Sequence, residues 1–299
     1  MPPTSSNADR FLLGCHLSIA KGLIRAVDEA ESLGNNALQI FTHNVSAWAM
    51  KELDPDRAAA FRARRAASAI EFLAVHTMYL INLASPDDAL HERSTGALIE
   101  EIRRAALVGA DAVVCHLGAH KGTGADAGIA RIVSALDRAV ASDAFEEAPS
   151  LRLLLENTAG AGTTMGSSFE ELALILESVD RKRIGICLDT CHAFAAGYDM
   201  GSRDAVEETL DRFERTLGLA SLDLIHLNDS MLELGSRRDR HAHIGHGRIG
   251  AGGIAEVINH PALRHLPFIL ETPKVMDGRP DADRINLPRV RLLRSEEGT

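Results

Sequence analysis

Eight short apolar runs recur at intervals of about 25 to 45 residues along the chain, separated by longer amphipathic or alanine-rich stretches. They are Phe11–His16, Ala37–Phe41, Phe72–His76, Ala112–His116, Leu151–Glu156, Ile184–Asp189, Leu222–Leu227 and Pro267–Glu271. Helical periodicity fills the gaps at Gly22–Leu33, Asp56–Ala69, Asp88–Val108, Gly128–Val140, Phe169–Val179 and Ala205–Leu217. Near-continuous apolar strands alternating with helices describe a parallel sheet buried on both faces. Eight of them in 299 residues predict an α/β protein, a single-domain (β/α)8 TIM barrel over residues 11–299 behind a flexible polar tail at 1–10. An open doubly wound sheet is the alternative, but no GxGxxG follows the first run. Two further stretches lack clear periodicity: the loop Asp229–Gly253, rich in Arg, His and Gly, and the segment after Lys274, which reads as a turn into a short basic piece.

The residue at the end of each run carries the chemistry. His76 ends the third, His116 the fourth, Glu156 the fifth, Asp189 the sixth and Glu271 the eighth, while His226 stands one residue before the end of the seventh. In a barrel these ends meet at one mouth, where active sites lie. His192 follows Asp189 by three residues, and Asp239 and His241 sit in the long seventh loop. Any one of these histidines could be an ordinary core or surface residue. Five His and four Asp/Glu together would repel one another, or sit desolvated, without cations among them. Imidazole and carboxylate mixtures suit zinc, with manganese or iron as substitutes. Nine donors exceed one tetrahedral ion but suit three ions with a shared carboxylate, which points to multinuclear metal hydrolysis.

Composition sets limits around that reading. The 32 basic and 42 acidic residues give a formal net charge of -10, so a whole-surface basic footprint for nucleic acid is absent. A polyanionic substrate would need a locally positive site, such as bound cations supply. The 13 histidines outnumber the nine Phe, two Tyr and one Trp combined, which argues against an aromatic platform for single strands. Four cysteines are too few for a disulfide scaffold, and Cys187 and Cys191, flanking Asp189, read as buried thiols of a reducing compartment. The polar N-terminus and the lack of a long apolar run predict a cytoplasmic protein without a membrane span.

The strings HTMYLINLASP, CHLGAHKG, LENTAG, GICLDTCHAFAAGYD, HLNDS, DRHAHIGHGRIG and ILETPK resemble, in order from about Gly14 to Lys274, the endonuclease IV family of apurinic/apyrimidinic endonucleases. DTCHAFAAGYD and the DRH–IGHG–IG loop are the most specific of them. The resemblance implies a TIM barrel with three zinc ions at the C-terminal mouth. One ion would be held by His76, His116 and Glu156, a second by Glu156, Asp189, His226 and Glu271, and a third by His192, Asp239 and His241. Three divalent ions would outweigh the four ligand carboxylates and leave the mouth positive. The implied substrate is double-stranded DNA containing an abasic site. It would be hydrolysed 5′ to the lesion to a 3′-hydroxyl and a 5′-deoxyribose phosphate, as in base excision repair, by a monomer needing no protein partner. Glu156, the bridging carboxylate, is the candidate catalytic group and a candidate base.

For DNA contacts the resemblance nominates Tyr79, in the third loop, as a wedge, with Asn44 in the second. Arg238 and Arg240, which bracket Asp239, are candidates for phosphate. The second loop departs from the family pattern: Ser46 stands where members often carry Arg, and His43 where Lys is common. That bears on DNA affinity and substrate preference and leaves the metal set intact. His16, His243 and His246 are candidate hydrogen-bonding supports behind the ligands. The basic clusters at 62–65 and 181–183 read as solvated faces, and His91, His120, His260 and His265 as surface or loop residues. Two rival functions remain: a sugar isomerase or epimerase on the same barrel, which one or two metals per chain would favour, and a lesion-binding protein with structural metals, which stable binding without cleavage would favour.

Overall fold

The computed structural model describes residues 11–146 and 148–294, so the tail expected at 1–10 lies outside them. Eight strands, β1 (Leu13–Leu17), β2 (Ala37–Ile40), β3 (Phe72–His76), β4 (Ala112–Cys115), β5 (Arg152–Glu156), β6 (Ile184–Asp189), β7 (Leu222–His226) and β8 (Phe268–Leu270), form a closed barrel. Every pairing is parallel, and Leu13 opposite Phe268 closes the ring between β1 and β8. The predicted strands are all present, most of them a residue or two shorter than the apolar runs.

Period-two alternation sorts each strand into two faces. Leu13, Cys15 and Leu17 of β1 join the shell packed under the helices, as do Leu153 and Leu155 of β5. Ala37, Ala74, Ala112, Val114, Leu154, Cys187, Leu224 and Ile269 form a separate buried cluster that fills the barrel. Small residues are needed where strands crowd: a Cβ on Gly14 would lie 1.7 Å from the Ala37 carbonyl oxygen.

The surrounding helices are α1 (Leu23–Ser32), α2 (Pro55–Ala66), α3 (Asp88–Val108), α4 (Ala125–Val140), α5 (Phe169–Glu177), α6 (Thr190–Ala196), α7 (Arg203–Thr216), α8 (Gly250–Asn259) and α9 (Asp283–Leu293). Side-chain caps start several of them: Asp54 accepts from Asp56 N, Asp87 from Leu90 N and Ser168 from Glu171 N, satisfying first-turn amides. Three helices escaped the periodicity. Seven-residue α6 is too short for a pattern, α8 opens on the run Gly-Ala-Gly-Gly, and α9 contains Pro288. The segment after Lys274 thus ends in a helix. The seventh loop also has structure, an antiparallel ribbon pairing Asp229–Ser230 with His241–Ala242.

The arginines at 62–65 and 181–183 are tied down more than expected. Arg65 binds the Glu71 and Gly109 carbonyls and the Asp111 carboxylate, Arg64 binds Asp28 and Glu31, and Arg183 binds the Ala148 and Pro149 carbonyls. They clamp chain segments at the N-terminal end of the barrel. His91 is likewise buried and donates through Nδ1 to the Leu83 carbonyl, anchoring the third loop. All four cysteines are buried and free. Among the described residues no helix is long and apolar enough to cross a membrane.

Candidate metal centre

The alternation that fills the barrel with Ala74, Val114, Leu154, Cys187, Leu224 and Ile269 brings His76, His116, Glu156, Asp189, His226 and Glu271 inward two residues later. Asp189 has a second task, since its carboxylate accepts from His192 N as the N-cap of α6. That cap sets His192 one turn above the strand end. The ribbon of the seventh loop returns Asp239 and His241 to the same place.

The donor atoms gather in compact groups, each within 4.8 Å: His76, His116 and Glu156; Glu156, Asp189, His226 and Glu271; and His192, Asp239 and His241. His76 Nε2 lies 3.2 Å and His116 Nε2 3.4 Å from Glu156 Oε2, while His226 Nδ1 lies 3.0 Å from Glu156 Oε1 and 3.3 Å from Glu271 Oε2. In the outer group His192 Nε2 and His241 Nε2 stand 3.2 and 3.3 Å from the two oxygens of Asp239. Donors bonded at about 2.0–2.1 Å to one tetrahedral ion sit about 3.3 Å apart. The separations fit that edge length. His116 Nδ1 and His241 Nε2 are buried and have no hydrogen-bond partner, and the latter faces the outer group. The donor set therefore fits divalent ions of zinc size.

Three imidazoles are oriented by the backbone. His76 Nδ1 donates to Thr77 O at 2.7 Å, His192 Nδ1 to Asn157 O at 3.0 Å and His241 Nδ1 to Glu271 O at 3.1 Å. Each bond fixes the tautomer that leaves Nε2 free to coordinate. His226 is turned the other way, donating through Nε2 to Gln39 Oε1 at 2.8 Å. Gln39 in turn donates to Glu271 Oε1 at 2.7 Å and to His16 Nδ1 at 3.0 Å.

Electrostatics reflect crowding without cations. Burial pushes the His76, His192 and His226 imidazoles toward neutrality. For His76, Glu156 and Glu271 outweigh it; for His192, Asp189, Asp239 and Glu156 do so; for His226, Cys187, Glu271 and Glu156 do so. All three end above the ordinary value, His192 and His226 well above. His116 is pulled below it by burial. Glu156 is fully buried, yet His116, His226 and His192 hold it well below the usual carboxylate range, and His226 and His16 do the same for Glu271. Such a cluster stores protons that arriving cations would displace. Cys191 also lies within reach of Asp189 and His241, but burial pushes its thiol up to about 12 and its sulfur faces the Arg240 carbonyl. It is a poorer donor than Asp239.

The structure brings all nine nominated donors together and treats the other candidates unevenly. His16 is at the cup, 3.5 Å from Glu271 Oε1. His243 instead donates to Val275 O and accepts from Asn286, and His246 is exposed, edge-on to His243 at 6.5 Å. The supporting role read for that pair belongs to Gln39, to Asn228, which donates to Asp189 Oδ2 at 2.7 Å, and to Asn157, whose side chain joins the Asp189 backbone. Asn and Gln are seldom ligands to zinc-type ions, so their types carry little signal, although Gln39 falls on the period set by Ala37. Tyr79 is 64 % exposed beside the cup with its ring against Phe41 and His76, and Leu80 next to it is also exposed. Asn44, Arg238 and Arg240 are exposed as well.

The cup itself, about 400 Å³, is lined by His16, Phe41, His76, Tyr79, His116, His192, Asp239, His241, Glu271 and Lys274. A larger hollow of about 750 Å³ lies beside it between the first and second loops, with Lys21, Lys51 and Arg57 among its walls. His43 does not face outward. Its Nε2 lies 2.7 Å from Glu101 Oε1, both side chains buried, and the same oxygen accepts from Met78 N. His43 therefore ties the second loop and the third to α3.

Comparison with known proteins adds a family. Residues 27–289 match the family model described as xylose isomerase-like TIM barrel. The probable endonuclease 4 of Halothermothrix orenii is 47% identical over 278 residues, 93% of this chain and 99% of that one. The crystal structure of endonuclease IV from Thermus thermophilus superposes with a TM-score of 0.82 at 39% identity, covering 94% of this chain and 98% of that one. A D-tagatose 3-epimerase-like protein superposes with a TM-score of 0.69 at 17% identity, over 94% of this chain and 98% of that one, a likeness of fold alone.

Proposed function

Because the chain belongs to the endonuclease IV family, and is on that ground a nucleic-acid-cleaving hydrolase, we propose that it is a three-zinc AP endonuclease acting on abasic sites in duplex DNA. It cuts the phosphodiester 5′ to the lesion and leaves a 3′-hydroxyl and a 5′-deoxyribose phosphate. The observation that carries this reading is the division of nine convergent donors into three ion-sized groups, two of which share Glu156. Ions held by these groups would supply Lewis acidity, lowering the pKa of the attacking water and offsetting charge on the phosphate oxygens.

The protein's own groups do the rest. Glu156 is the carboxylate common to two groups; held anionic by its imidazole neighbours, it would serve both sites and orient the attacking water. Gln39 and Asn228 keep His226, Glu271 and Asp189 from swinging as charge shifts during reaction. Asp239 is more exposed than the other acids, which suits the outer group to meet the substrate phosphate. Tyr79 and Leu80 form an exposed apolar pair beside the cup and enter the duplex where a base is missing, since an abasic nucleotide is easily extruded. Arg238, Arg240 and Asn44 contact the flanking backbone. That one chain supplies all nine donors supports a monomer as the active unit.

Elemental analysis of protein purified without chelator, together with incision of a duplex carrying one abasic analogue, tests the reading. About three zinc ions per chain and a single cut 5′ to the lesion are expected. One or two metals and no cut would redirect the assignment to sugar isomerases or epimerases. Binding without cleavage in added zinc would redirect it to a lesion-binding protein.

A further inference from the structure

Two of the three donors of the outer group, Asp239 and His241, hang on the loop between β7 and α8, whose residues from 233 to 240 are mostly exposed. The loop is organised instead around Asp229, which lies three residues beyond His226 and is fully buried. Five backbone amides converge on its carboxylate. Oδ1 accepts from Ser230 N at 2.8 Å, Ile249 N at 3.0 Å and Gly250 N at 3.2 Å, and Oδ2 from Gly247 N at 2.9 Å and Gly245 N at 3.0 Å. The cradle leaves no space for a side chain at Gly247, where a Cβ would lie 2.3 Å from Ser230 O and 2.4 Å from Asp229 Oδ1.

The ribbon is built on the same two residues. Asp229 stands opposite Ala242 and Ser230 opposite His241, Met231 N donates to Arg240 O at 2.9 Å, and Arg248 N donates to Ser230 O at 2.7 Å. One carboxylate thus gathers the end of the loop, residues 245–250, against the ribbon that carries His241. The donors of the other groups, His76, His116, Glu156, Asp189, His226 and Glu271, stand at or next to the ends of barrel strands.

We propose that Asp229 is the positioning residue of the outer ion site: by collecting the amides of 245–250 it holds Asp239 and His241 in register with His192. Occupancy of this one site depends on it, and occupancy of the two strand-borne sites does not. The inference rests on the three-zinc reading above. Asp229→Asn places an amide NH2 where N–H groups already converge, so donors face donors and the cradle opens.

The test is a zinc count on wild type, Asp229→Asn and Gly247→Ala, each equilibrated with the same buffered free zinc, with urea unfolding to confirm a cooperative transition. Gly247→Ala opens the cradle from the opposite side and carries the test if Asp229→Asn does not fold. We expect about three ions in wild type and about two in either variant. Adding His192→Ala to Asp229→Asn should remove no further ion. Three ions at wild-type affinity in both variants would overturn the proposal, as would loss of all ions from a variant that still folds. Fewer than three ions in wild type would overturn the three-zinc reading and this inference with it, and the wild-type count separates that failure from the others.

Discussion

At the N-terminal end of the barrel Asp223 pairs with Arg152 at 2.9 Å and Asp111 with Arg65 at 2.6 Å. At the opposite end Glu156, Asp189, Asp239 and Glu271 gather at one mouth and face imidazoles instead of guanidiniums. The difference is one of exchangeability. A guanidinium keeps its proton at any physiological pH and presents a fixed fork, so an Arg–Asp pair is permanently neutralised and chemically silent. An imidazole can give up its proton and offer a lone pair, so the same carboxylates accept either protons or metal ions as countercharge. One barrel thus carries a permanent electrostatic seal and an exchangeable one, and only the second can perform chemistry.

Removing a donor from the mouth should separate the two ends most sharply. Glu156→Gln or His226→Ala is expected to lower single-turnover incision of an abasic duplex at least about 10³-fold, because a shared or fully buried donor is lost where charge develops. Unchanged incision in either variant would break the assignment of the cup. Chelation comes next. In the metal-free protein the raised imidazoles of His76, His192 and His226 contribute stability that is full below the ordinary 6.5 and is lost as pH rises through their raised values. Glu156 and Glu271, held low, contribute stability above the ordinary 4.5 that is lost only as pH falls through their depressed values. Calorimetry in chelator should therefore show Tm falling as pH is raised above neutrality, while the zinc-loaded protein holds steady over that range. Parallel curves would show that protons and metal do not compete for the same groups.

A smaller effect is expected at the rim. Tyr79→Ala should raise KM for the abasic duplex about tenfold with kcat changed less, since an exposed wedge acts in binding. A fall in kcat at constant KM would instead place Tyr79 in the chemistry. The smallest belongs to the opposite end: Asp223→Asn should cost about 1 kcal/mol in urea unfolding, the pair being partly exposed, and leave incision within about twofold.

How legible these regions were depends on the range of the signal. The donors at strand ends could be read because a period of two and a run of apolar residues fix which residue reaches the mouth, so His76 or Glu271 needed no knowledge of its neighbours. Gln39 obeys the same period but gives no signal of its own, because a carboxamide is not among the usual zinc donors. Its importance lies in contacts to His226 and Glu271 far along the chain. His43 shows the same limit. Its departure from the family pattern was visible, but its burial against Glu101, 58 residues away, is a tertiary fact. Helix α6 has too few residues for periodicity, and its start is set by Asp189, a residue already read for another purpose.

The bonds from His76, His192 and His241 to backbone carbonyls lead further than orientation. Their anchors, at Thr77, Asn157 and Glu271, are main-chain atoms one residue beyond the barrel strands, so these three of the nine donors are held by the rim of the barrel itself. These rings can shift only with the backbone that anchors them, so any adjustment to the size of a bound cation falls to the carboxylates.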